Sequence, residues 1–156
     1  TLTLSLSPLA LPTACGFKPT SGAYTMAGVQ LAEDTCGLFE DEFDPQDMAD
    51  EPMTITYNED DKTVTVAIGG GEDAELSTWS CELDGKALLC TDNVDTNSEN
   101  GLTLTQTFGM EGTFTEANAL DFTVSITFDC EGENCAMTGI TFPCSAKIAA
   151  SAVGPA

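Results

Sequence analysis

The sequence predicts an all-β fold: an antiparallel β-sandwich of Ig-like or jelly-roll-like type, preceded by an extended N-terminal strand. Three observations predict it. Segments rich in Thr, Val, Ile and Phe alternate apolar and polar residues, which puts the two kinds on opposite faces of a strand. Turn residues punctuate them at intervals of roughly ten residues, a spacing that belongs to sandwiches and barrels. Helical periodicity is nearly missing, and threonine falls where a wet sheet face is expected.

Residues 1–12 form the N-terminal arm. Leu2, Leu4 and Leu6 alternate with Thr1, Thr3, Ser5 and Ser7. Pro8 interrupts the pattern, and Leu9 and Leu11 resume it. Proline removes a ladder donor, so this is a kinked or edge strand. Residues 13–21 hold Gly16 and Pro19 and read as a linker. Residues 22–156 read as a single disulfide-stapled sandwich domain.

Within that domain Gly22 to Leu31 alternates weakly and reads as a strand. Residues 33–52 are acidic and read as a loop with one helical turn near Pro45–Ala49. Met53–Tyr57 and Thr63–Ile68 flank Asn58–Lys62 as a hairpin. Gly69, Gly70 and Gly71 break the sheet, and Ala74–Glu82 carries Leu76 and Trp79 on the next strand. Asp84-Gly85 marks a tight turn, and Lys86–Thr91 returns from it. With Asp84 and Gly85 at its centre, Cys81 falls opposite Leu88 and Cys90 lies diagonal. Asp92–Gly101 is polar and reads as a loop. Leu102–Phe108 and Leu120–Cys130 are long alternating strands, with a short one at Thr113–Thr115. Met137–Phe142 and Lys147–Val153 complete the set.

Charge excludes several functions. The 156 residues hold 26 acids against four lysines, with no arginine and no histidine, for a net charge of −22. Nucleic acid needs cations to neutralise phosphate, so it is not the partner. An anionic membrane surface is disfavoured for the same reason, and no membrane span is expected. Without histidine the usual general base is missing. No nucleophile elbow or phosphate loop is present, and the chain is not expected to be an enzyme.

Seven cysteines in so short a chain point to an oxidising compartment, here extracellular or cell-surface. Local spacing suggests Cys81 with Cys90 and Cys130 with Cys135, leaving Cys36 with Cys144. Cys15 is the odd one, unpaired or intermolecular. Zinc wants two close cysteine pairs and usually histidine, and the chain has no C-x-x-C and no histidine. No cofactor is expected. Calcium is the one ion considered, because Asp92, Asp95, Asn97 and Glu99 offer hard oxygens in one supposed loop. Glu42, Asp44, Asp47 and Asp50 are a second such set.

The uncharged arm has three possible destinations. It pairs within its own domain, inserts into the next subunit, or is the remnant of an export signal. Leu2, Leu4, Leu6, Leu9 and Leu11 followed by a Gly/Pro linker resemble, in mode, the donor strands of pilin-like surface filament subunits. That resemblance implies a pilus or filament subunit that forms a head-to-tail homopolymer by donor strand exchange, Leu2 to Leu11 being the interface. Leu11-Pro12-Thr13-Ala14-Cys15-Gly16 resembles the lipobox of bacterial lipoproteins. It implies instead a lipid-anchored or periplasmic β-domain with a binding role.

Overall fold

The structure, a computed structural model of the chain, describes residues 16–39, 43–70 and 76–156. The arm and Cys15 therefore lie outside the described residues, as do Glu40 to Glu42. Nine strands run as β1 (Gly22–Asp34), β2 (Met53–Asn58), β3 (Thr63–Ile68), β4 (Ser77–Asp84), β5 (Ala87–Cys90), β6 (Asn93–Glu99), β7 (Leu102–Glu116), β8 (Ala119–Glu131) and β9 (Cys144–Val153). One short helix, α1 (Pro45–Asp50), starts on Asp44, whose carboxylate accepts from the Gln46 amide at 2.8 Å. Pro45 follows at the first helical position, where a missing N–H costs nothing.

The sandwich expectation is overturned. The sheet closes on itself as an eight-stranded antiparallel barrel. Sequence neighbours pair from β1 to β5 and from β6 to β9, and β9 returns to β1. β5 then pairs with β7, through Ala87↔Thr113 and Leu89↔Glu111, and shuts the circle. β5 and β6 act as one strand along β7, stepped by one residue between Leu89↔Glu111 and Asn93↔Phe108. Over the closed part of the barrel, from Ala87↔Thr113 to Leu89↔Glu111 on this seam, closure removes the edges that a sandwich would keep.

The interior is filled rather than hollow. Ile55, Val64, Val66, Leu88 and Phe114 are fully buried, with Trp79, Met53 and Leu120 nearly so. β9 places Ala150 and Ala152 opposite Phe122 and Leu120, so small faces large across the ladder, as dense packing requires. Among the described residues no polar or charged residue is buried. The outer face is the reverse: β8 presents Asp121, Thr123, Ser125 and Thr127. A lipid-facing barrel wears apolar residues outside, and this one wears hydroxyls and carboxylates. Among the described residues no helix is long and apolar enough to cross a membrane.

Three further expectations change. Asp92–Gly101 is not a loop, because Asn93–Glu99 is strand β6. Both its faces are exposed, so it has no apolar alternation to betray it. Met137–Phe142 is not a strand: Glu133–Thr138 is a 3-10 helix, and Cys135 within it is bridged to Cys130. The turn after β4 is centred on Gly85 and Lys86, since Asp84 pairs with Ala87. Only Gly85 of the two has positive φ, the pattern of a type II′ hairpin. Moving the turn by one residue shifts the pairing by two and puts Cys81 directly opposite Cys90.

The three bridges are Cys36–Cys144, Cys81–Cys90 and Cys130–Cys135. They are the pairs that spacing suggests, and they fit an oxidising environment.

Candidate functional site

The barrel has two unlike poles. At the near pole lie the hairpins Asn58–Thr63, Asp84–Ala87 and Glu116–Ala119 and the segment entering β1. That segment is docked on the barrel, which limits the linker expectation for residues 13–21. Phe17 packs on Phe114 with ring centroids 5.5 Å apart. Pro19 is buried. The Thr20 amide donates to the Ala117 carbonyl at 2.7 Å, and the Tyr57 amide donates to the Ser21 hydroxyl at 2.8 Å. The Tyr24 hydroxyl donates to the Thr20 carbonyl at 2.7 Å, and burial pushes its pKa up.

Three of the four lysines belong to this pole. Lys18 pairs with Glu59. The Lys86 ammonium donates to the Thr115 carbonyl at 2.8 Å and lies 5.6 Å from the centre of the Phe17 ring. Lys62 helps line a hollow of about 310 Å³ with Phe17, Lys18, Tyr57, Glu59 and Leu83.

The far pole is acidic. The β1–β2 connection carries Asp44, Asp47, Asp50 and Glu51, and Glu131 and Glu133 stand beside the β8–β9 connection. Asp34 accepts from the amides of Cys36, Gly37 and Phe39 and so folds the start of its loop. Asp44 is used in capping α1, and Asp50 accepts from the Gln46 side chain at 2.7 Å. Exposed Leu38, Leu76, Val94 and Met137 also sit towards this end.

Here the strands outrun the barrel. β1 beyond Ala27, the first half of β9, the second half of β8, the first half of β7 and all of β6 continue as a five-stranded flare. A bulge at Gly28, which has φ 62°, turns β1 into it. α1 packs on β1. β6 pairs with β7 alone, so its other edge has no ladder partner among the described residues. At the base of this seam Trp79 Nε1 donates to the Phe108 carbonyl at 3.2 Å, and the Asn93 side chain donates to the Thr78 carbonyl at 2.8 Å.

The calcium candidates are not brought together. Asp95, Asn97 and Glu99 lie along one face of β6, opposite Gln106, Leu104 and Leu102. Four residues of strand separate Asp95 from Glu99, about 13 Å, too far to share one ion. Asp92 instead sits by Gly109, whose added Cβ would lie 2.9 Å from its carboxylate. Among the described residues no group of three His, Cys, Asp or Glu is placed to hold a metal.

Sequence reasoning missed an outer-wall hollow of about 670 Å³ across β1, β9, β8, β7 and β5. Gly112, Ala149 and Ser151 make a low floor, and Gln30, Leu89 and Glu111 rise around it. Alternation gave the face of each residue but not its neighbours across five strands. Beside it the Glu33 carboxylate meets Lys147 at 3.2 Å and the Ser145 hydroxyl at 3.1 Å. These two hydrogen bonds, Lys147 first, hold its pKa below the usual carboxylate range.

Comparison with family models, curated proteins and solved structures finds no match. The function is therefore argued from the geometry alone.

Proposed function

We propose that this chain is an extracellular structural subunit that joins copies of itself head to tail through residues 1–11. The observation that carries this reading is the polarity of the barrel. The chain enters at the near pole, where Lys18, Lys62 and Lys86 stand beside Glu59, Asp60, Asp61, Asp84 and Glu116. The far-pole connections hold acids and no lysine. Two far poles repel one another strongly, whereas the three lysines of a near pole give the acids of a far pole opposite charges to meet. A contact between unlike ends is heterologous and propagates as an open fibre. A closed barrel offers no groove between two sheets, so donation into a sandwich groove gives way to contact with an outer surface. Salt weakens the residual repulsion between such charges.

The outer-wall hollow favours a second reading, an anchored domain that binds a ligand there. One experiment separates the two. Full-length protein is followed by electron microscopy and sedimentation at low and physiological salt, beside Leu4→Asp. Fibres that strengthen with salt and vanish in the variant support assembly through the arm. Monomers at every concentration, with lipid on Cys15 in protein from its native source, refute assembly and leave the anchored domain.

A further inference from the structure

We infer that the acceptor for residues 1–11 is the unpaired edge of β6 in the next copy. This rests on the head-to-tail reading and names its contact.

Closure gives every near-half strand two neighbours, while Asn93–Glu99 has one. All seven residues of β6 are exposed. An unpaired strand edge is a template for another chain. β6 carries Asp95 and Glu99, which repel an acidic strand. Residues 1–17 contain no charge at all, so the arm meets this edge without that penalty.

The patterns also match. One face of β6 joins β7 in hydroxyl rungs, Thr96 to Thr105 at 3.4 Å and Ser98 to Thr103 at 2.9 Å. Thr1, Thr3, Ser5 and Ser7 extend those rungs by one strand. Leu2, Leu4 and Leu6 then fall on the other face, beside Asp95, Asn97 and Glu99 of β6, with half-buried Leu102, Leu104 and Phe108 one strand further. Their period of two is the period of the edge.

Nine residues separate Ser7 from Gly16, a span of at most about 32 Å. Phe17 is anchored on Phe114, and β6 begins opposite Phe108, six residues along β7 or about 20 Å away. Either copy's arm reaches this edge, and the choice of the next copy follows from the head-to-tail reading. A neighbour stacked on the far pole brings its arm to that edge directly.

The test is hydrogen exchange at β6 in the full chain, at dilute and at assembling concentration, with Leu4→Asp alongside. Amides of Val94–Ser98 that face the edge are expected to slow roughly tenfold or more on assembly. They are expected to stay fast in dilute protein and in the variant. Fibres with unprotected β6 amides overturn the acceptor while leaving head-to-tail assembly standing. Protection that persists on dilution shows that the chain uses its own arm and overturns the second copy. Failure to assemble at all removes the underlying reading as well.

Discussion

In the near half of the barrel every strand has a partner on each side, and Phe114, Leu120, Ile55 and Val66 fill the space between them. In the far half five strands continue without closing, and their inner residues, Leu102, Leu104 and Phe128 among them, are only partly covered. Two of the three disulfides, Cys36–Cys144 and Cys130–Cys135, belong to this open part. The third, Cys81–Cys90, marks the level at which β4 and β6 part. Where the ladder closes, apolar burial suffices to hold the chain. Where it does not, covalent links replace missing neighbours. The proposed contact uses the part with an edge to spare.

This contrast is broken most directly at Cys36–Cys144. The bridge closes a sequence separation of 108 residues, and a cross-link of that span stabilises by about 4–5 kcal/mol in the chain-entropy view. Cys36→Ser with Cys144→Ser should cost about that much in urea unfolding. Before global unfolding, amides of β1 from Leu31 to Asp34 should exchange faster, while those of β2 and β3 keep their protection. Equal loss of protection in both halves would show that the barrel melts as one unit. The smaller expected effect belongs to the closed half. Phe114 is fully buried and supports Phe17. Phe114→Ala should cost about 3–4 kcal/mol by lost transfer energy and the cavity left behind. It should also loosen the entry segment, read as faster exchange at Thr20. A cost under about 1 kcal/mol would mean that the near half is not the packed one.

The same contrast explains what the sequence shows. The paired strands around Asn58–Lys62 were legible because Ile55, Val64 and Val66 alternate strictly against a core. α1 was legible as a helical turn near Pro45–Ala49, and the structure adds its cap, Asp44. The cysteine pairs followed from spacing. Barrel closure was not legible: alternation fixes which face is buried and is silent on partners, so β5–β7 and β1–β9 left no local mark. β6 was hidden for the opposite reason. A strand wet on both faces carries no hydrophobic period. Its misreading as a loop also produced the calcium candidates, which the extended backbone holds apart. The outer hollow was missed because it depends on register between strands distant in sequence.

The finest test of the two halves is their response to pH, since each holds one titratable latch. In the far half, hydrogen bonds from Lys147 and Ser145 depress the Glu33 pKa. The unfolded chain then binds the proton more readily than the folded one. The contribution is complete above the ordinary carboxylate range and is lost as pH falls through the depressed value. The carboxylate is exposed, so the effect is small. Acidification also relieves repulsion among the other acids, which stabilises, and the two trends oppose. Comparison with Glu33→Gln isolates the local part: the variant should lack the acid-side loss confined to the β1–β9 pairing. In the near half, burial raises the Tyr24 pKa. Here the unfolded chain loses its proton first, so the contribution is complete below the ordinary tyrosine range and falls as pH rises towards the raised value. Tyr24→Phe should lower stability at neutral pH by about 1 kcal/mol, through the lost bond to the Thr20 carbonyl. It should also flatten the alkaline limb of the unfolding curve. An acid limb unchanged in Glu33→Gln, or an alkaline limb unchanged in Tyr24→Phe, would show that the group concerned is not the latch of its half.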